Sequence, residues 1–167
     1  MSDTDFWKAM VAFALTFPEI KNYSRLESDC FTDGLPFCHM LVHSKVIDIS
    51  ADDLDRHCAK WINKVSNLRK ILAKIKPFFE KRLLKTDKIE DIDVVEIAKH
   101  ASQEQLLRFF EVVMTVLLSS PSKEHYIQCI MDLDSSVQKT FVEIIRNSNP
   151  LEDSLRQENS TIVELED

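Results

Sequence analysis

The chain has 167 residues, of which 44% are hydrophobic and 29% charged, as is typical of one globular domain with a sizeable core. Its net charge of −7 disfavours a general nucleic-acid binder or anionic-membrane binder. The single glycine excludes glycine-rich phosphate loops and the GxSxG turn, and it disfavours β-hairpins. We therefore expect an all-α protein that is not an enzyme and holds no cofactor.

Four cysteines (Cys30, Cys38, Cys58 and Cys129) are scattered without a CxxC pair. The N-terminus is acidic and lacks the basic and apolar layout of a secretory signal. Both features indicate reduced thiols in the cytoplasm or nucleus.

The first part of the chain predicts two helices separated by a loop. Apolar residues at helical spacing predict a helix over Asp5–Phe17, which Pro18 ends. Glu19–Phe31 is polar and predicts an ordered loop. The second helix opens at Asp33-Gly34-Leu35-Pro36, where Asp33 is the expected N-cap.

The middle of the chain predicts a long helix. Ser50-Ala51-Asp52-Asp53 resembles a capping box that opens it, and Pro77 is expected to kink or divide it near its end. Its inward stripe is Trp61, Val65, Leu68, Leu72, Ile75 and Phe79. A short helix is expected over Ile92–Ala98, followed by a capping box formed by Ser102 and Gln105.

The stretch Leu106–Leu118 predicts the central helix of the domain. Its surface is apolar except for a strip of Arg108, Glu111 and Thr115, so other helices must enclose it. It cannot span a membrane, because a span needs about 20 predominantly apolar residues.

Ser120-Pro121 opens a predicted final helix that reaches about Asn147 and carries two apolar rows. The first row docks against the central helix and consists of Tyr126, Ile130, Leu133, Val137, Phe141 and Ile144. The second row consists of Ile127, Met131, Gln138, Val142 and Ile145. Either a loop or the C-terminal tail covers the second row, or the row forms a groove for a partner's amphipathic helix. In such a groove, Met131 would adapt to the ligand and Gln138 would hydrogen-bond its backbone.

Asn149-Pro150 closes a predicted domain over residues 1–149 and leaves a tail over residues 150–167. The tail holds six acidic residues against Arg156 alone. Its apolar residues at heptad-compatible positions are Leu151, Leu155, Ile162 and Leu165, interrupted by Glu158. The tail is either a disordered acidic segment or the start of a coiled coil, and a coiled coil would make the protein a homodimer.

Histidines and cysteines supply only weak candidates for a metal or catalytic site. The candidate ligands are Cys38, His39, His43, His57 and Cys58. Because the paired short spacings of structural zinc sites are missing, we expect no metal. Any cysteine can be drawn as a dyad with His100 or His125, and no spacing selects one pair. A catalytic function therefore requires a pocket that unites a cysteine with a histidine.

The segment Lys60–Lys88 holds ten Lys and Arg residues against Glu80 and Asp87. Its candidates for binding an acidic filament such as a microtubule are Lys64, Lys70, Lys74 and Lys81. The basic residues interleave with the inward stripe of the same helix, so a solvated helix face is the alternative interpretation.

Two motifs resemble the N-terminal domain of the Hook family. They are VSNLRKIL over residues 65–72 and EHYIQCIM over residues 124–131, supported by Ser136-Val137-Gln138. Thr32-Asp33-Gly34 is similar to a helix start of the wider calponin-homology class. The resemblance runs over about Phe6–Asn147, and Girdin, Daple and NuMA are more distant relatives.

The resemblance implies a calponin-homology-like helical fold with an extended C-terminal helix. It also implies a cargo adaptor that recruits cytoplasmic dynein, located in the cytoplasm at microtubules and the centrosome. In the family the last helix divides and opens a cleft for a short helix of the dynein light intermediate chain. The family's contact positions fall here on Gln138, Val142 and Ile145, all in the second row.

Two departures from the family bear on this expectation. Val142 stands where a methionine is expected, and valine is smaller and stiffer. The family's long dimerising coiled coil is absent, so the chain is expected to be a fragment or a short divergent member. Direct filament binding through Lys60–Lys88 stays as the alternative function.

Overall fold

The computed structural model describes residues 3–21, 23 and 27–146. Over these residues the regular elements are all helical, as predicted. The α-helices are α1 (Asp3–Ala14), α2 (Pro18–Lys21), α3 (Leu35–Ser44), α4 (Trp61–Lys81), α5 (Asp87–Glu90), α6 (Val94–His100), α7 (Gln103–Leu118), α8 (Lys123–Met131) and α9 (Ser135–Arg146). Short 3₁₀ turns cover Ser28–Phe31 and Ala51–Asp53. The predicted boundary at residue 149 and the tail lie outside the described residues.

Helix α7 is the centre of the fold, as its composition predicts. Eleven of its side chains are buried, and α1, α3, α6 and α8 all pack against it. Thr115, on the predicted polar strip, is buried, and its Oγ1 donates to the Glu111 carbonyl at 2.9 Å. No helix in the described part of the chain is long and apolar enough to cross a membrane.

The long basic helix α4 begins later than predicted. The Ser50 capping box forms, but it opens only the 3₁₀ turn Ala51–Asp53, after which Leu54 is extended. Pro77 does not divide α4, which continues to Lys81. Of the predicted inward stripe, Trp61 is 42% exposed because it lies in the first turn, at the edge of the core, whereas the other five residues are buried.

Gly34, rather than Asp33, occupies the N-cap position of α3. Its φ of 77° is left-handed, and a Cβ there would lie 2.6 Å from Ile71 Cδ1. Glycine is favoured here because other residues rarely adopt this conformation and because an added Cβ would collide with Ile71. Asp33 still bonds a free N–H group at the start of the helix, since its Oδ1 accepts a hydrogen bond from the Leu35 N–H at 3.0 Å.

The capping box predicted before α7 forms only in part. Ser102 Oγ accepts from the Gln105 N–H at 3.3 Å, as expected. Gln105 Oε1 instead accepts from the Asp93 N–H at 2.9 Å and thereby ties the start of α7 to the start of α6.

A triad of phenylalanines joins α1, α7 and α9. The ring centroids of Phe13 lie 6.2 Å from Phe110 and 5.6 Å from Phe141, and Phe110 and Phe141 are 6.2 Å apart, all in edge-to-face geometry. Such contacts stabilise beyond the burial of the rings alone. The first apolar row therefore does hold α9 against the core, with Phe141 and Ile144 buried.

Candidate partner-binding surface

The predicted final helix is divided in two. Helix α8 ends at Met131 and α9 begins at Ser135, so the expectation of one continuous helix from Ser120 was wrong. The division expected from the Hook resemblance is observed at residues 132–134. Helices α8 and α9 contact each other. We call the predicted second row, as these two helices carry it, the α8–α9 surface: Ile127, Met131, Gln138, Val142 and Ile145.

The side chain of Gln138 stabilises the break between the two helices by hydrogen bonds to its backbone. Its Nε2 donates to the Met131 carbonyl at 2.8 Å and to the Leu133 carbonyl at 2.7 Å. The Met131 carbonyl is one that the end of α8 leaves without an intrahelical partner, and the Leu133 carbonyl lies in the connection between the two helices. Both N–H groups of the amide are thus used within the chain, and its Oε1 is the atom that can accept a bond from a partner. The prediction that Gln138 bonds a partner's backbone therefore becomes more specific: its Oε1 would accept a hydrogen bond from a partner's N–H.

The other four residues of the α8–α9 surface differ in how much of each side chain is exposed. Met131 is 57% exposed and Val142 48% exposed. Ile127 and Ile145 are half-buried and pack against the core. Met131 and Val142 are therefore the open apolar part of the surface, and Gln138 lies between them along the chain.

The rim of the α8–α9 surface carries acidic residues at the break. Asp132 and Asp134 are exposed directly after Met131, and Asp132 Oδ1 accepts from Gln128 Nε2 at 2.9 Å. Lys139 is exposed one residue beyond Gln138. An apolar centre with a charged rim is the usual composition of a protein-binding surface.

Histidines attach α8 to α3 on the side away from the second row. His43 Nδ1 lies 2.8 Å from the hydroxyl of buried Tyr126, and the His43 ring stacks on His125 with centroids 5.5 Å apart. Burial lowers the pKa of His43; the charges of His125 and Lys45 act in the same direction, and Glu19 opposes them. The contact therefore favours neutral His43.

This contact predicts that acid weakens the fold. Below His43's ordinary pKa of 6.5 the unfolded chain takes up a proton that the folded chain resists, so the free energy of unfolding should fall as pH drops through 6.5 towards the lower folded-state pKa. Above pH 6.5 the effect should vanish. Urea denaturation at a series of pH values should show a shallower dependence in His43→Gln, whereas exposed His57→Gln should match the wild type. Equal slopes for all three proteins would contradict the role of His43.

The candidate metal ligands lie apart or have other partners. Burial raises the pKa of the Cys38 thiol to about 11, so this thiol stays protonated at neutral pH. Cys58 Sγ donates to the Asp55 carbonyl at 3.3 Å. Within the described part of the chain, no group of three His, Cys, Asp or Glu side chains is placed to hold a metal ion.

One cysteine and one histidine from the catalytic candidates do meet. Cys129 Sγ lies 3.7 Å from His125 Nε2, one turn apart on α8. A cavity of about 550 Å³ in the described region lies elsewhere, against α4 and residues 89–95. Its lining holds neither of these side chains, so this cavity is not the pocket that a catalytic hypothesis requires.

The candidate filament-binding lysines lie on two sides of α4. Lys70, Lys74 and Lys81 are exposed, and their spacing of four and seven residues places them on one helix face. Lys64 is half-buried and about 100° away on the helix, near Asp33. Three of the four predicted residues therefore share one solvated face.

Sequence reasoning missed two features of α4. Asn67 is 1% exposed and bonds the backbone of Asp33 and Asp55. Lys99 of α6 places its Nζ 4.2 Å from the ring centroid of Trp61, a cation–π contact. The buried asparagine could have been noticed in the sequence, because Asn67 lies beside the apolar stripe of α4. The contact between Lys99 and Trp61 joins residues 38 positions apart, so no local sequence pattern indicates it.

Comparison with known proteins agrees with this fold. The family model described as the HOOK domain matches residues 44–147. Protein Hook homolog 3 of Homo sapiens is 29% identical over 109 residues, 64% of this chain and 15% of that protein. Protein hook of Anopheles gambiae is 29% identical over 90 residues, 53% of this chain and 13% of that protein. The solution structure of the conserved domain of mouse HOOK1 protein has a TM-score of 0.66 and 20% identity, covering 86% of this chain and 90% of its own.

The fold is therefore that of a calponin-homology-like helical domain, as predicted. The chain belongs to the HOOK domain family, which confirms the resemblance seen in its motifs. It spans 13–15% of the length of the two curated relatives described above.

Proposed function

We propose that the protein is a non-catalytic dynein adaptor module that binds an amphipathic helix of the dynein light intermediate chain on the α8–α9 surface. In this role it links cargo to transport along microtubules, in the cytoplasm and at the centrosome. The observation that carries the proposal is the break at residues 132–134 together with the exposure of Met131 before it and Val142 after it.

The chemistry of the surface suits such a ligand. An amphipathic helix presents apolar side chains at spacings of three, four and seven residues, and these can pack against a row of exposed apolar side chains. Burying Met131 and Val142 supplies the main gain in free energy, and methionine adapts its shape to a partner. Gln138 Oε1 orients the ligand by accepting one hydrogen bond.

The test is titration of a labelled light-intermediate-chain helix peptide into the wild type, Met131→Asp and Val142→Asp. A buried charge in the contact should weaken binding by at least about tenfold, equivalent to about 1.4 kcal/mol. These positions are better than Ile145, whose half-buried side chain also packs against the core. Val42→Asp is the matched control, because Val42 on α3 is similarly exposed, at 41%.

Circular dichroism establishes that each variant is folded before its affinity is compared. Saturable binding by the wild type and Val42→Asp, lost in both surface variants, supports the adaptor function. Absence of binding by the folded wild type contradicts it. Equal loss in Val42→Asp would show that the effect is not specific to the α8–α9 surface.

Direct filament binding is the second candidate function, favoured by the shared face of Lys70, Lys74 and Lys81. Salt separates the two functions. Contacts between exposed charges are strongly screened at about 1 M salt, where the Debye length is about 3 Å, whereas apolar binding persists. Microtubule co-sedimentation that falls with salt and is lost in the triple Lys→Gln variant would support filament binding.

A further inference from the structure

A second exposed apolar patch lies at the start of α4, distinct from the α8–α9 surface. We call it the Trp61 patch and define it by Lys60, Trp61, Ile62 and Lys99. Trp61 is 42% exposed and Ile62 58% exposed. Lys99 lies over the Trp61 ring and Lys60 precedes it in the chain, and both lysines are themselves exposed. The patch thus combines apolar area with positive charge.

The surrounding helix strengthens the positive charge. The N-cap of α4 is Lys60, which makes no side-chain capping bond, and the first turn contains no acidic residue. The helix dipole adds partial positive charge at this end. Along its length α4 carries six Lys and Arg residues against Glu80. A ligand for the patch must therefore be acidic and must carry apolar side chains for Trp61 and Ile62.

Residues 150–167 of the same chain have this composition. They include six acidic residues against Arg156, together with the apolar residues Leu151, Leu155, Ile162, Val163 and Leu165. We propose that this acidic segment binds the Trp61 patch within the same molecule. Its carboxylates face Lys60 and Lys99, and apolar residues from 162–165 cover Trp61 and Ile62.

Two physical arguments favour this occupant. A tethered segment has an effective concentration in the range of about 1 mM, far above that of a free acidic ligand in dilute solution. From Arg146 to residue 162 the chain can extend about 50 Å, at roughly 3.3 Å per residue. Over the surface of a domain with a radius of gyration of about 15 Å, this length covers most positions, so it is compatible with contact at the patch.

Charge also argues against the alternative site for the acidic segment. At the α8–α9 surface the exposed carboxylates of Asp132 and Asp134 outnumber the exposed Lys139. Like charges would repel the acidic segment there, whereas the Trp61 patch attracts it. The acidic segment and a partner helix at the α8–α9 surface therefore use different surfaces.

The test uses Trp61 as a fluorescent reporter. Trp7→Phe leaves Trp61 as the one tryptophan of the chain, which has two. In this background the six acidic residues are neutralised in the full chain: Glu152→Gln, Asp153→Asn, Glu158→Gln, Glu164→Gln, Glu166→Gln and Asp167→Asn. At low salt the neutralised variant should emit at longer wavelength and be quenched more strongly by acrylamide than its parent. At about 1 M salt, where the Debye length is about 3 Å, the difference should shrink sharply.

A charge reversal on the patch provides the reciprocal test. Lys60→Glu should also increase the quenching of Trp61, and combining it with the neutralised segment should add little, because both changes break one interaction. Lys8→Glu, an exposed lysine on α1, is the matched control and should change nothing. Circular dichroism checks that helical content is unchanged throughout.

Equal quenching in the parent and the neutralised variant at low salt would overturn the proposal. A difference that depends on protein concentration would also overturn it, because it would place the segment on a second copy. A difference that is independent of concentration, is suppressed by salt and is lost with Lys60→Glu establishes binding within one molecule.

Discussion

Replacing Phe141 with alanine is expected to lower the free energy of unfolding by about 3–5 kcal/mol, the usual range for a fully buried phenylalanine. Phe141 is 1% exposed and contacts the rings of Phe13 and Phe110. Removing its ring leaves a cavity where side chains of α1, α7 and α9 meet. Because α9 carries three of the five residues of the α8–α9 surface, the substitution should also make that surface less ordered.

The neighbouring Val142→Ala is the matched control. Val142 is 48% exposed, so its truncation should change the free energy of unfolding by no more than about 0.5 kcal/mol. Urea denaturation followed by circular dichroism measures both variants. Hydrogen exchange should show faster exchange along α9 in Phe141→Ala. Similar stabilities for the two variants would mean that α9 is not docked through its first row.

The buried half of the last two helices was predictable because helical periodicity reports which side faces the core. Tyr126, Ile130, Phe141 and Ile144 were all assigned correctly. Periodicity does not show, however, how much of each side chain is buried. Ile127 and Ile145 occupy the same row as Met131 and Val142 but pack partly against the core, since the packing of other helices decides how far each side chain is covered.

The break between α8 and α9 was not predicted from the residues alone, because no glycine or proline marks it. The run Asp132-Leu133-Asp134-Ser135 does contain residues that favour helix starts, and it was a usable signal. The bonds that hold the break come from Gln138, further along the chain. A local pattern does not show which carbonyls a side chain five or seven residues away will bond.

The start of α4 was misplaced for a similar reason. The capping box at Ser50 is real, but a box can open a 3₁₀ turn as well as a long helix. The intervening residues 54–60 are retained outside the helix by contacts from α4 itself, above all from Asn67. The same asparagine lies in the motif that resembles the Hook family, and its burial supplies a physical role for it.

Asn67→Ala is expected to lower the free energy of unfolding by about 2–3 kcal/mol, since it removes three hydrogen bonds made by a buried side chain, each contributing about 1 kcal/mol. The Asn67 amide Nδ2 donates to the carbonyls of Asp33 and Asp55, at 3.0 and 2.8 Å, and its Oδ1 accepts from the Asp55 N–H at 2.9 Å. One side chain thereby ties the start of α3 and the loop before α4 to the core.

Asn67→Asp separates this bonding role from simple packing. Aspartate has nearly the same shape but can only accept when ionised, so its carboxylate would face the carbonyl oxygens of Asp33 and Asp55. It should therefore destabilise at neutral pH by more than alanine does, although it fills the space better. The control is Ser66→Ala, at the exposed residue directly before Asn67, which should leave the free energy of unfolding nearly unchanged. If urea denaturation ranks Asn67→Asp as more stable than Asn67→Ala, the site is held by packing and not by the donated hydrogen bonds.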